Sequence, residues 1–172
     1  SAASDVYKRQ IINAGSNSKL ASGICDVQKM SNMGINLAVG TDGPSSNNAL
    51  DMFREMYLIS VLQKLKYNDA AAMDANEILK AATSGSAKCM GLTDCDCIAE
   101  GKLADLMIID LERPNMQPIN NITKNLVYSG SKDDVKMTMI NGKILYENGE
   151  FVNIDKEEIY AKAQEICNRL KN

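Results

Sequence analysis

The sequence contains no histidine and no tryptophan among its 172 residues, and only two phenylalanines. The absence of histidine excludes a Ser-His-Asp triad, a Cys-His pair and a histidine-ligated metal site formed by this chain alone. Basic residues number 19 against 22 acidic ones, and this net charge of −3 predicts no nucleic-acid partner. No apolar run approaches the roughly 18–20 residues of a membrane span, and no signal peptide is visible. The chain therefore lacks the features of a membrane or nucleic-acid binding protein.

Cysteine is scarce and irregularly placed. The five cysteines form no spaced framework, and an odd number of them favours the reducing cytoplasm over an oxidising compartment. The only close pair is Cys95-Asp96-Cys97. A zinc knuckle would usually need a C-x-x-C spacing and a second pair, so ordinary thiols are favoured over a metal role here.

The first ten residues look foreign to the rest. Residues 5–10 resemble an in-frame translation of the transposon end used to prepare sequencing libraries. We therefore expect residues 1–10 to be a non-native tail, with a genuine polar terminus as the alternative. Residue 11 opens in the middle of a pattern and without a start methionine, which is typical of a truncated gene product.

The remainder predicts an α/β part followed by a β-rich part. Alternating apolar residues over 35–39 predict a buried strand, which ends in a Gly/Pro cluster at 40–44. A helix is expected over about 49–67 and another from about Asp74 to Gly91. The apolar face of the first should be formed by four residues spaced three and four apart, Leu50, Phe53, Tyr57 and Val61.

After residue 93 the pattern changes to short strands. Strands are predicted at 103–109, 125–128 and 135–139, with an Asn-Gly hairpin turn at 141–142 and another Asn-Gly turn at 148–149. A last helix is expected over about 156–170, and its single apolar stripe implies docking on another surface. The predicted domains are 11–92, 93–154 and a terminal amphipathic helix at 155–172.

One motif contains a residue that could take part in catalysis. Asp42 follows the 35–39 strand, and parallel α/β folds place ligand-handling residues at the carboxyl ends of strands. Its carboxylate could bind a metal and accept a proton, although an aspartate between glycines is more often a turn former. A phosphate-binding loop is disfavoured, because the carboxylate would repel phosphate and the Walker lysine is absent.

Two polar stretches near this motif each have a structural and a functional interpretation. The run at 45–48 is typical of helix N-capping, whereas the functional hypothesis is that the Ser46 hydroxyl faces a substrate. The run at 16–23 is most simply a loop, in which a solvated Lys19 is favoured over a lysine that contacts an anion.

Several segments, in order, resemble the amidohydrolase superfamily over residues 13–153. They are SNSKLASGI at 16–24, GINLAVGTDG at 34–43, SNNALDMFREM at 46–56, and GKLADLMIIDL at 101–111 with NGK at 141–143. The branch they resemble most deaminates 5-methylthioadenosine and S-adenosylhomocysteine, and is related to triazine chlorohydrolases and guanine deaminases. Where the family usually has His, then Asn or Cys, then Pro, this sequence has Ile12, Asn13 and Ala14.

The resemblance implies the C-terminal fragment of a metal-dependent (β/α)₈ barrel with part of a flanking β-sandwich. It implies one divalent metal ion, zinc being the usual choice, with Asp42 as metal ligand, catalytic proton shuttle and substrate contact, and Ser46 beside the substrate. The substrate would be a small purine nucleoside that loses ammonia from C6 of adenine. The other metal ligands would lie upstream, and the intact protein could be a homo-oligomer.

Three hypotheses remain open at this point. The chain is part of an adenosine-type deaminase, part of another amidohydrolase such as a guanine deaminase or triazine chlorohydrolase, or a non-catalytic binding module in which Asp42 only forms a turn. A barrel of this kind needs about 250 residues. We therefore expect the chain alone to be poorly stable and catalytically inactive.

Overall fold

The computed structural model describes residues 9–171, which form two units. The first comprises the chain up to Lys102 together with Asp110–Asp134, and the second comprises Leu103–Ile109 together with the chain from Val135 onward. The single boundary predicted near residue 93 therefore differs from this division. The segment 110–134, predicted to lie in the β-rich part, belongs to the first unit.

In the part of the chain that the structure describes, the first unit combines two parallel strands with six α-helices. The strands are β1 (Arg9–Ile12) and β2 (Asn36–Val39), and the helices are α1 (Ala14–Lys19), α2 (Val27–Asn32), α3 (Met52–Tyr67), α4 (Ala75–Lys80), α5 (Ser86–Met90) and α6 (Ile122–Tyr128). A π-helical turn, Ala81–Gly85, joins α4 to α5. Within residues 9–171 no helix is both long and apolar enough to cross a membrane.

Strands β1 and β2 form the parallel sheet of the first unit. Ile11 pairs with Ala38 and Ile12 with Val39, and the last three residues of β2 are buried. The predicted strand at 35–39 is confirmed. Arg9 and Gln10 pair with β2 although they fall in the predicted foreign tail, whose residues 1–8 lie outside the described part of the chain.

The buried face of helix α3 overlaps the predicted one only in part. It begins after Asp51, whose carboxylate accepts hydrogen bonds from the N–H groups of Phe53 and Arg54, so it starts later than residue 49. Of the predicted apolar face, Phe53 is buried, whereas Leu50 and Tyr57 are 47% and 44% exposed, so the prediction is wrong for these two residues. The true buried face mixes apolar and polar residues, namely Phe53, Glu55, Met56, Ile59, Ser60 and Gln63. A search for apolar spacing overlooks it because three of its members are polar.

The ends of the α4–α5 segment follow the sequence prediction. The Asp74 carboxylate accepts from the N–H groups of Asn76 and Glu77, at 2.7 and 3.1 Å, and Gly91 ends α5 with a left-handed φ of 76°. The Glu77 carboxylate accepts from the Ser31 hydroxyl. The start and stop signals are thus confirmed. The Glu77 side chain bonds to α2 and not to the backbone at the start of its own helix.

The predicted strand at 125–128 is wrong, because this segment belongs to α6. The Asn121 side chain accepts from the Lys124 N–H at 2.9 Å and starts the helix, and Val127 is 1% exposed. Helix α6 packs against α3 and α4. Four residues are too few to separate a strand from a buried helical turn by periodicity.

The second unit is an antiparallel sheet followed by one helix. Strands β3 (Leu106–Ile109), β4 (Val135–Ile140), β5 (Lys143–Glu147) and β6 (Glu150–Phe151) are adjacent in that order, and α7 covers Lys156–Lys171. Asn141 and Gly142 have φ values of 48° and 74°, and the Asn-Gly turn at 148–149 is similar. Both predicted hairpins are confirmed.

The predicted apolar stripe of α7 is exposed. Ile159, Ile166 and Leu170 are 52%, 47% and 79% accessible, and the Asp155 carboxylate accepts from the Glu158 N–H at the start of the helix. No residue of α7 is buried among those described. The surface on which this stripe was predicted to dock therefore stays a prediction.

Candidate functional site

The candidate site is built around Asp42, three residues after the end of β2. Asp42 adopts a left-handed φ of 60°, a conformation that aspartate tolerates better than most residues. Because β1 and β2 are parallel, this places its exposed carboxylate at the same edge as the start of α1, which follows β1.

Two serine hydroxyls hold the Asp42 carboxylate. Ser16 of α1 and Ser46 of the β2–α3 loop each donate a hydrogen bond to Oδ2, both at 2.7 Å. These bonds, with a further one from the Gly43 N–H, lower the pKa of Asp42 below its ordinary value, and Ser46 contributes most. The site therefore presents a fixed carboxylate that is ionised at neutral pH.

The structure corrects the N-capping interpretation of residues 45–48. Helix α3 is capped by Asp51, which leaves Ser46 to bond Asp42 instead. Lys19 is exposed, and its Nζ donates to the Ser45 carbonyl oxygen at 3.0 Å and to Asn48 Oδ1 at 2.6 Å. Lys19 thus ties α1 to the loop that contains Ser46, rather than being merely solvated.

Sequence reasoning missed two site residues, Ser16 and Glu55. Ser16 is only 3% exposed, although its segment was interpreted as a plain loop. Glu55 is fully buried and accepts from the Gly15 N–H at 2.8 Å and from Asn47 Nδ2 at 2.6 Å. The sequence offered one signal for Glu55, which is its position between two apolar residues, Phe53 and Met56. Both of these residues are buried.

The described residues at the candidate site offer one carboxylate that could ligate a metal ion, rather than a complete ligand set. An ionised carboxylate is a common ligand of divalent cations. However, residues 9–171 hold no group of three or more His, Cys, Asp or Glu side chains that could enclose an ion. The carboxylate of Asp96, between the two close cysteines, accepts from Lys102 Nζ at 2.8 Å. Asp42 fits one position of a metal site, and the other positions need donors from outside these residues.

The amidohydrolase family model matches residues 4–145. This chain belongs to the amidohydrolase family. The match includes most of the segment 1–10 that the sequence predicted to be foreign. It also spans helix α1, which contains Ser16, and the β2–α3 loop, which contains Asp42 and Ser46.

Two curated relatives of this amidohydrolase are named 5-methylthioadenosine/S-adenosylhomocysteine deaminase. The one from Clostridium tetani is 40% identical over 163 residues, which cover 94% of this chain and 38% of the relative. The one from Pyrococcus furiosus is 45% identical over 147 residues, which cover 86% of this chain and 35% of the relative. The chain thus spans little more than a third of the length of the relatives it matches.

Solved amidohydrolase-type structures share its fold. A zinc-bound adenosine deaminase from Xanthomonas campestris superimposes with a TM-score of 0.92 at 36% identity, over 95% of this chain and 37% of that one. An atrazine chlorohydrolase from Arthrobacter aurescens superimposes with a TM-score of 0.82 at 24% identity, over 90% and 35%. At that identity the second comparison shows the fold alone.

The position where the family usually has histidine is part of the core in this amidohydrolase. Ile12 is 3% exposed and pairs with Val39 in the β1–β2 sheet. An isoleucine side chain at this position has no polar atom to bond a substrate or to transfer a proton.

Proposed function

We propose that this chain is part of a metal-dependent deaminase that releases ammonia from the adenine ring of 5-methylthioadenosine or S-adenosylhomocysteine. The observation that carries the proposal is the Asp42 carboxylate, held at a strand end by two serine hydroxyls. It occurs in a chain 40–45% identical to relatives that are named for this activity.

In the longer protein, the two parallel strands and their helices would be the last β/α units of a (β/α)₈ barrel. The four-stranded sheet of the second unit would belong to the flanking sandwich. The remaining metal ligands would then come from parts of the protein outside this chain. The zinc-bound structural relative supports zinc as the first choice of metal.

Asp42 would act both as a ligand and as a proton carrier. A divalent ion bound there supplies Lewis acidity, which makes a water molecule nucleophilic towards C6 of the adenine ring. Two donors already occupy Oδ2, so both roles would fall to Oδ1. Asp42 takes the proton that this water loses and delivers it to the leaving amino group. Ser46 orients the carboxylate and lies beside the substrate.

The proposal is tested with the longer protein that contains this chain. We expect ammonia release from 5-methylthioadenosine and S-adenosylhomocysteine. The D42A substitution should abolish turnover and lower the zinc content measured by mass spectrometry, because one ligand and the proton carrier are lost together. T41V is the control, since the Thr41 hydroxyl bonds a backbone oxygen rather than the carboxylate.

Two results would contradict the proposal. One is full turnover by the D42A protein. The other is no ammonia from either nucleoside, combined with turnover of guanine or a triazine, which would keep the family and replace the substrate.

A further inference from the structure

Glu55 is a buried carboxylate for which the proposed reaction has no direct use. It lies on α3 with no exposed surface, and each of its oxygens accepts one short hydrogen bond. Burying a carboxylate is unfavourable unless hydrogen bonds compensate for lost hydration. An apolar side chain of similar volume often stabilises a core equally well. The bonds that Glu55 makes therefore point to a role beyond filling space.

The partners of Glu55 adjoin both serines of the candidate site. Its Oε2 accepts from the N–H of Gly15, which immediately precedes Ser16. Its Oε1 accepts from the side chain of Asn47, which immediately follows Ser46. One side chain thus joins the two separate segments whose hydroxyls meet on Asp42 Oδ2.

Gly15 provides independent evidence of how close this contact is. A Cβ atom on Gly15 would overlap Glu55 Oε1 and would lie 2.9 Å from Asn47 Nδ2. Both approaches are far closer than van der Waals contact, so a side chain at this position would displace the carboxylate. The absence of a side chain at Gly15 lets α1 approach Glu55.

We infer that Glu55 is a positioning residue that fixes the Ser16 and Ser46 hydroxyls on Asp42. This inference rests on the proposed function of Asp42, because positioning matters for turnover only if that carboxylate takes part in the reaction. Glu55 acts through Gly15 and Asn47, and it does not itself touch the substrate. Losing it would leave the fold in place while the two segments beside Asp42 become mobile.

The test uses three variants of the longer protein. E55A removes both hydrogen bonds. N47D sets two carboxylates against each other and should break the contact between positions 47 and 55 by repulsion. The double variant N47D/E55Q restores this contact, because an amide group at position 55 can donate to a carboxylate at position 47 while its oxygen still accepts from the Gly15 N–H.

Gln63 offers a matched control on the same helix. It is 1% exposed, its Nε2 donates to the Cys25 carbonyl oxygen at 2.8 Å, and its Oε1 accepts from the Gln28 N–H at 3.1 Å. Q63A therefore removes two buried hydrogen bonds of the same kind, neither of which involves residues 13–20 or 41–49. It controls for simple loss of stability.

Two measurements are made at a temperature where circular dichroism shows every variant folded. Hydrogen–deuterium exchange should rise in residues 13–20 and 41–49 for E55A and N47D, and return towards the wild-type rate in N47D/E55Q. The kcat should fall about ten- to a hundredfold for E55A, with a smaller change in KM, because the carboxylate is misplaced. Q63A should leave exchange in both segments and kcat unchanged.

The outcomes separate this inference from the proposed function. Unchanged exchange in both segments of E55A overturns the positioning role, as does a drop in kcat for Q63A equal to that of E55A. Increased exchange in E55A, with a wild-type protein that releases no ammonia from either nucleoside, supports the positioning role and overturns the proposed function.

Discussion

At the residue scale, the ionisation of Asp42 depends on its serine neighbours. Hydrogen bonds from Ser46, Ser16 and the Gly43 backbone favour its charged form and lower its pKa. A carboxyl group whose pKa is lower in the folded state stabilises that state at pH values above its unfolded pKa. The contribution is lost as the pH falls through the lowered pKa. The serines thus favour the form of Asp42 that can ligate a cation at neutral pH.

Removing either hydroxyl should raise the pKa of Asp42 towards its ordinary value. We expect S46A to have a larger effect than S16A, because the Ser46 bond contributes most. The measurement is carbon-13 NMR of the metal-free longer protein labelled at its aspartate carboxyl groups, with D42N identifying the signal. T41V should leave the midpoint of the Asp42 titration unchanged, since the Thr41 hydroxyl bonds the backbone oxygen of Asp42 rather than its carboxylate. Equal midpoints in all these variants would contradict the assigned cause.

At the element scale, local signals predicted helix and hairpin ends better than buried faces. Asp74, Gly91 and the Asn-Gly turn at 141–142 act on backbone groups within a few residues, so the sequence suffices to identify them. The buried face of α3 and the helical state of 125–128 depend on packing against distant segments. For the same reason Asp42 could be proposed from its local motif, whereas the partners of Glu55 lie 8 and 40 residues away.

The N-cap of α3 provides a prediction at this scale. D51A removes the acceptor for the N–H groups of Phe53 and Arg54 and should destabilise the longer protein by about 1 kcal/mol. The loss is measured as a lower midpoint of urea denaturation. D51N keeps an acceptor oxygen and should remain near the wild-type midpoint. Equal losses in D51A and D51N would mean that the charge of Asp51, rather than its cap, stabilises the helix.

At the scale of the whole molecule, the chain by itself leaves many large apolar side chains in contact with water. Ile98, Leu65 and Leu170 are 89%, 76% and 79% exposed, and each of the two units contributes such residues. Contiguous exposed apolar surface promotes association. We therefore predict that the isolated 172-residue chain melts broadly, binds the dye ANS and elutes as aggregates in size-exclusion chromatography. A monomer with one sharp melting transition and no ANS binding would show this prediction to be wrong.

The path of the chain between its two units limits how the protein can be dissected. Leu103–Ile109 contributes β3 to the second unit, Asp110–Asp134 returns to the first, and the chain then leaves it again at Val135. A stop codon after residue 102 would remove α6 from the helices against which it packs. One after residue 134 would leave β3 without β4, its partner in the sheet. Neither half can be obtained intact by shortening the gene from one end, so isolating either requires a rearranged, circularly permuted or internally spliced reading frame.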